Sequence, residues 1–122
     1  MTENDHILES EEAFKIIKEI ERDSHLTQRD LAVKLEISLG RINFIVNALI
    51  NKGIIKAQNF KNSNRKLAYM YLLTPEGIRM KVRLIGKFLA WKTEQYERLR
   101  GEIESLRSES AVVSASAQKE LP

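Results

Sequence analysis

Thr27-Gln28-Arg29-Asp30-Leu31-Ala32-Val33-Lys34-Leu35-Glu36-Ile37-Ser38-Leu39-Gly40-Arg41-Ile42-Asn43-Phe44-Ile45-Val46-Asn47-Ala48-Leu49-Ile50-Asn51-Lys52-Gly53 contains two helix starts and a helix stop. Thr27 stands three residues before Asp30, close to a capping box, in which the longer Glu is the usual reciprocal residue. Leu31, Ala32 and Leu35 supply the buried side of that short helix. Glu36-Ile37 leads into Ser38, a good N-cap for a helix over roughly 38–51. Ile42, Ile45, Val46 and Leu49 form its apolar stripe. Asn51-Lys52-Gly53 ends it, with Gly53 free to take a left-handed position.

Upstream, residues 7–21 have helical periodicity. Ile7, Phe14, Ile17 and Ile20 share a face that Ile16 widens, and Ser10 caps the helix if its first turn frays. Downstream, Ile54–Phe60 and Leu67–Leu73 are strand-like, joined by a polar tip over 61–66 that carries Lys61, Arg65 and Lys66. Thr74-Pro75-Glu76-Gly77 restarts a helix with Thr74 as cap and Pro75 first, while Gly77 lowers the local propensity. Ile78, Val82, Ile85, Leu89, Lys92, Tyr96, Leu99, Ile103 and Leu106 then alternate spacings of four and three, an a/d register with Lys92 as its one intruder. Lys92 there either specifies register or snorkels to the edge. Leu84, Phe88 and Trp91 broaden the apolar arc of the first half, which predicts packing against both its own domain and a partner. The distal half is a narrower dimer seam. Residues 108–122 are Ser/Ala-rich without aromatics, the composition of a frayed or disordered tail. The expected organisation is a helix-turn-helix with a hairpin over 7–74, a long dimerisation helix over 75–107 and a tail over 108–122.

In 122 residues, 20 Lys and Arg stand against 17 Asp and Glu, for a net charge of +3. The distribution says more than the total. Residues 1–40 carry a net −5, Arg41–Lys92 a net +10 with Glu76 as the single acid, and 93–122 a net −2. A concentrated positive field suits a polyanionic partner. No cysteine is present, which excludes thiolate nucleophiles, disulfides, Cys-based zinc sites and thiol oxidation sensing. His6 and His25 do not stand at metal-ligand spacing, and no cofactor or metal is expected. Met1–Ser10 is polar and acidic rather than a signal sequence, and no apolar run approaches membrane-spanning length. A cytoplasmic, non-membrane location is the expectation. No nucleophile–base pair or phosphate-cradling glycine loop is visible, so an enzyme is not expected.

Helix, short helix, turn, third helix, basic hairpin is the order of a winged helix-turn-helix, mainly α with a small β-hairpin wing. In that geometry the third helix enters the DNA major groove and the second crosses the backbone. With Ile42, Ile45, Val46 and Leu49 inward, Ser38, Gly40, Arg41, Asn43, Phe44 and Asn47 remain for the groove. Arg41 suits a guanine edge or a phosphate, and Asn43 and Asn47 suit adenine edges or plain solvent. Phe44 suits a thymine methyl or the core, and Gly40 permits close approach to the backbone. Thr27, Gln28 and Arg29 stand where a helix N-terminus meets phosphate oxygens. Lys61, Asn62, Arg65 and Lys66 are either a minor-groove or phosphate wing or an ordinary solvated loop. The run Arg79, Lys81, Arg83 and Lys87 either touches flanking phosphates or keeps a long helix soluble.

Leu26–Ala32 followed by Ile37–Asn43 resembles the helix-turn-helix of MarR-type regulators. Ala48–Gly53, Ala57–Ser63, Lys66–Tyr69 and Tyr71–Ile78 are similar to a small subgroup named for association with exopolysaccharide and O-antigen gene clusters. The likeness spans roughly residues 7–106. It implies a dimeric bacterial transcriptional regulator of double-stranded DNA, acting near surface-polysaccharide genes and pairing through 78–106. Larger MarR proteins carry several dimerisation helices and often a ligand between domains, whereas this sequence leaves little room for an effector site. Two rivals remain: an interaction module without specific DNA contact, and membrane-surface association through the cationic, Phe88- and Trp91-bearing segment 78–92. The heptads continuing through Ile103 argue against the second.

Overall fold

The computed structural model describes residues 3–61 and 67–120. In chain order it has α1 (Glu3–Leu8), α2 (Glu11–Arg22), α3 (Gln28–Leu35), α4 (Leu39–Asn51), β1 (Ile55–Lys61), β2 (Leu67–Leu73) and α5 (Pro75–Glu120). This is the predicted class, mainly helical with a hairpin wing and a long last helix. The chain divides into two compact units, the first ending at Ile85 and the second beginning at Gly86.

The single helix predicted over 7–21 is two helices. Ser10 is the reason: its hydroxyl donates to Ile7 O at 2.6 Å and accepts from Ala13 N at 3.1 Å. One side chain thus closes α1 and caps α2. Ile7 and Leu8 are buried on α1, and Ala13, Ile16, Ile17 and Ile20 on α2. Phe14 is only half-buried, with the Lys18 ammonium 4.9 Å from its ring centroid.

At Thr27 the capping box closes with Asp in place of Glu. Asp30 N donates to Thr27 Oγ1 at 3.0 Å, and Thr27 N donates to Asp30 Oδ2 at 2.9 Å. The Thr27 backbone amide first, and the Thr27 hydroxyl second, hold the Asp30 carboxyl below the ordinary aspartate value. Leu31 is fully buried, whereas Ala32 and Leu35 are half-buried. α3 stops at Glu36, which has a left-handed φ of 56°. Ile37 N then reaches back to Ala32 O at 3.1 Å. That tight reversal sets the angle between α3 and α4.

Ser38 caps α4 by accepting from Arg41 N at 3.2 Å. Ile42, Ile45, Val46 and Leu49 are all fully buried, as their spacing predicts. The helix ends in a Schellman arrangement. Gly53, at φ 74°, donates to Ile50 O at 3.0 Å, and Ile54 N donates to Leu49 O at 2.9 Å. β1 and β2 pair antiparallel from Ile55↔Leu73 to Lys61↔Leu67. Tyr71 N donates to Ser24 O at 3.1 Å, fastening the sheet to the turn after α2.

Thr74 caps α5 as predicted, accepting from Gly77 N at 3.0 Å and donating to Gly53 O at 2.5 Å. Gly77 does more than weaken the helix. A Cβ there would collide with the Ile54 carbonyl oxygen and stand 2.6 Å from Leu73 Cδ1. Glycine is what lets α5 lie against the sheet's end, and Met80 and Leu84 then enter the core. The first unit therefore runs past the predicted boundary at residue 74. At the other end, α5 continues to Glu120, so residues 108–120 are helix rather than a disordered tail. Ala111, Ala115 and Ala117 favour helix, and Pro122 is the first breaker after Gly101.

Among the described residues, one carboxylate is buried in the first unit. Glu19 lies with Lys34 Nζ 2.8 Å from its Oε2 and Arg22 3.7 Å from its Oε1. Lys34, assisted by Arg22 and Lys18 and opposed by burial, holds it below the ordinary glutamate value.

Candidate nucleic-acid interface

With its apolar stripe turned inward, α4 leaves Gly40, Arg41, Asn43, Phe44 and Asn47 exposed, and Ser38 exposed at its cap. Phe44 is 44% exposed, which settles its position on the outer face rather than in the core. Leu39, at the first turn of α4, is also exposed, at 42%. Nothing lies within 4 Å of a Cβ built at Gly40.

The polar residues on this face are tied to one another. Asn47 Nδ2 donates to Asn43 Oδ1 at 3.2 Å, and Asn43 Nδ2 donates to Gln28 Oε1 at 3.1 Å. Gln28 Nε2 donates in turn to the hydroxyl of buried Tyr71 at 3.2 Å. This amide chain joins α4, α3 and β2. It leaves Asn43 one amide hydrogen and one lone pair, whereas Asn47 keeps its whole carbonyl oxygen and one amide hydrogen. Asn47 is thus the freer of the two.

Arg41 is held from one side. Its Nε and Nη2 donate to the same Glu12 oxygen, at 3.1 and 2.9 Å. The nearest acid in the sequence is Glu36, five positions back, yet the partner comes from α2 across 29 positions. The edge formed by Nη1 and the second Nη2 hydrogen stays open, the edge that pairs with guanine O6 and N7. At α3, the Thr27 hydroxyl is engaged in its capping box and Gln28 in the amide chain. Arg29 and Lys56 are exposed without an ion pair among the described residues.

The long basic run is largely neutralised. Arg79 pairs with Glu76 at 2.7 Å, Arg83 with Glu9 at 3.8 Å, and Lys81 with Glu21. The acids of the N-terminal third thus fold onto the bases of α5, and the segregation seen along the chain does not survive folding there. Of the wing positions, Asn62, Arg65 and Lys66 lie outside the described residues, as does the side chain of Lys61.

The predicted seam is exposed throughout. In the first unit this holds for Ile78, Val82 and Ile85, and in the second for Leu89, Tyr96, Leu99, Ile103 and Leu106. Lys92 folds its ammonium to 4.7 Å from the Trp91 ring centroid.

A cleft of about 430 Å³ in the first unit is lined by Leu8, Glu9, Lys52, Ile54, Glu76, Arg79, Met80 and Arg83. Its lining lacks aromatic side chains, and Arg79–Glu76 and Arg83–Glu9 pair within it. Among the described residues, no group of three His, Asp or Glu is placed to hold a metal ion. No described helix is long and apolar enough to cross a membrane.

Residues 13–56, from α2 into β1, match the family model for winged helix-turn-helix DNA-binding domains. Comparison with curated protein sequences gives no match. Among solved structures, a mutant of S. aureus MepR bound to an oligodeoxyribonucleotide is similar with a TM-score of 0.54 at 18% identity, over 86% of this chain and 85% of that one. A MarR family transcription regulator gives 0.56 at 15% identity, over 92% and 76%. The adhesin competence repressor AdcR from Streptococcus pyogenes gives 0.54 at 18%, over 90% and 81%. At these identities the likeness shows the fold, which is the winged helix-turn-helix of MarR-family structures.

Proposed function

We propose that this chain is a MarR-type transcriptional regulator that binds double-stranded DNA as a homodimer on a near-palindromic operator. The observation that carries the reading is the outer face of α4. It offers an arginine with an open bidentate edge, two asparagines and an exposed phenylalanine on a helix whose other face is locked in the core. In this fold α4 is the helix that enters the major groove, and α3, with Arg29 at its start, crosses the backbone. The match of 13–56 to a DNA-binding domain model supports it, as does the related mutant of MepR bound to an oligodeoxyribonucleotide. The likeness of the segments 48–53, 57–63, 66–69 and 71–78 to the exopolysaccharide-associated subgroup adds surface-polysaccharide genes as its field of action.

In this reading Arg41 donates to guanine through its Nη1/Nη2 edge while Glu12 fixes the guanidinium plane. Asn47 pairs with an adenine edge, and Asn43 completes the contact from within the amide chain. Arg29, Lys56 and the wing bases Lys61, Arg65 and Lys66 meet phosphates. Two copies set about 34–36 Å apart meet successive major grooves on one side of the duplex.

Selection from a random duplex pool, with protein of measured mass, tests the reading. The expected product is a two-fold symmetric site with half-sites one helical turn apart. Arg41→Ala should weaken that site by about 1–3 kcal/mol and relax one position of it. Enrichment of no sequence, with equal weak binding to every duplex, would overturn it in favour of an interaction module.

A further inference from the structure

We propose that residues 89–113 pair with a second copy of this chain as a parallel, in-register, two-stranded coiled coil, oriented by Glu102 against the partner's Arg107. The inference rests on the homodimer reading above and adds its geometry. Within the second unit, α5 exposes Leu89, Tyr96 and Ile103 at one set of heptad positions and Leu99, Leu106 and Val113 at the other. The +4/+3 order makes the first set a and the second d. At the centre of the segment, Ile103 at a lies between Leu99 and Leu106 at d. β-Branched a with Leu at d is the combination that favours two strands over three or four.

The flanking charges choose the direction. In this register Arg100 and Arg107 occupy e, and Gln95, Glu102 and Glu109 occupy g. A parallel pair brings each g residue against the e residue five positions on in the other helix. Gln95 then meets Arg100 and Glu102 meets Arg107, each twice by symmetry. An antiparallel pair sets g against g and e against e, so that glutamate faces glutamate and arginine faces arginine. Within the single chain, Glu94 pairs with Arg98 and Glu97 with Arg100 along the helix surface. Glu102 and Arg107 have no ion pair among the described residues, and their spacing lets neither reach the other on one helix. Lys92, the one charge at a d position, has its ammonium drawn toward the Trp91 ring, which clears the seam.

Because the chain has no cysteine, introduced thiols report geometry directly. Leu89→Cys and Ser110→Cys each place a thiol at an a position, which faces its own copy only in a parallel in-register pair. Mild oxidation of each full-length variant should give a covalent dimer on a non-reducing gel. An antiparallel pair brings at most one of these two positions into self-register. Dimer mass by sedimentation with crosslinking at neither or only one position would overturn the orientation and leave the homodimer standing. Monomer mass for the unmodified chain at tens of micromolar would overturn both. Glu102→Arg should raise the dimer dissociation constant about tenfold at low salt. The double variant Glu102→Arg/Arg107→Glu should restore it. An unchanged constant for the single variant would refute the charge pairing.

Discussion

α4 turns Ile42, Ile45, Val46 and Leu49 into the core of its own unit and leaves Arg41, Asn43 and Asn47 outside. From Gly86 onward, α5 keeps Leu89, Leu99, Ile103 and Leu106 outside. Both segments carry an apolar stripe at helical spacing, and both are helices. They differ in where the covering surface comes from. α4 finds it within the chain, so its outer face is free for a ligand. Distal α5 finds none in its own unit, so its stripe is itself the surface to be covered. An apolar stripe therefore announces an interface without saying whether that interface is internal.

The largest effects should separate these two kinds of stripe. Leu49→Ala removes a fully buried side chain and should cost about 2–5 kcal/mol of folding stability. Its thermal midpoint should fall whatever the protein concentration. Leu99→Asp should leave the unfolding of the first unit nearly unchanged and shift the sedimenting species to monomer, since the charge is tolerated in water but not in a seam. An equal loss of folding stability in both variants would break the contrast, because it would make the distal stripe a core of the single chain.

Two glycines of the same helix extend the comparison with opposite signs. A Cβ at Gly77 collides with the Ile54 carbonyl oxygen, whereas one at Gly101 meets nothing within 4 Å. Gly77→Ala should destabilise by about 1–3 kcal/mol, because the clash exceeds the gain in helix propensity. Gly101→Ala should stabilise the helix by up to about 1 kcal/mol. Calorimetry on both variants reads the two signs. Stabilisation by Gly77→Ala would show that α5 does not lie as closely on the sheet's end as the structure has it.

Much of this was legible in local pattern. The stripe of α4, the caps Thr27, Ser38 and Thr74, the left-handed Gly53 and the hairpin all follow from spacing and residue type over a few positions. Residues that act across the chain were not legible. Glu12 has the same local pattern as Glu11, and only folding brings it to Arg41. Tyr71 reads as one more strand aromatic, yet its hydroxyl anchors the amide chain through Gln28 to the outer face of α4. Gly77 reads as a weak point in a helix because nothing local announces the carbonyl above it. The length of α5 was underestimated because Ser and Ala are common to disordered tails and to helices without a hydrophobic face. Ser10 was the reverse case, a cap visible in the sequence whose consequence, two helices in place of one, depended on a second bond to Ile7.

Smaller effects lie where the backbone turns between α3 and α4. Glu36 holds φ at 56° without being glycine, a conformation that Asn tolerates better. Glu36→Asn should stabilise by roughly 0.5–1 kcal/mol, read as a raised midpoint in urea with an unchanged slope. A lowered midpoint would mean that the Glu36 side chain contributes something its exposed position does not reveal.

The smallest expected change is the acid limb of stability. Asp30 and Glu19 both have carboxyls held below their ordinary values, and both lie in the first unit. A native value below the unfolded one means that the unfolded chain binds protons first as pH falls. The stabilisation is therefore whole above roughly pH 4, near the unfolded aspartate value, and is lost as pH drops toward the native one. Asp30→Asn keeps the shape and an accepting oxygen for Thr27 N but removes the titration. Its thermal midpoint should lie slightly below that of the parent at pH 7, and the two should converge as the pH approaches 3. A parent and variant that lose stability in parallel below pH 5 would place the acid sensitivity elsewhere, and Glu19→Gln would then be the variant whose acid limb flattens.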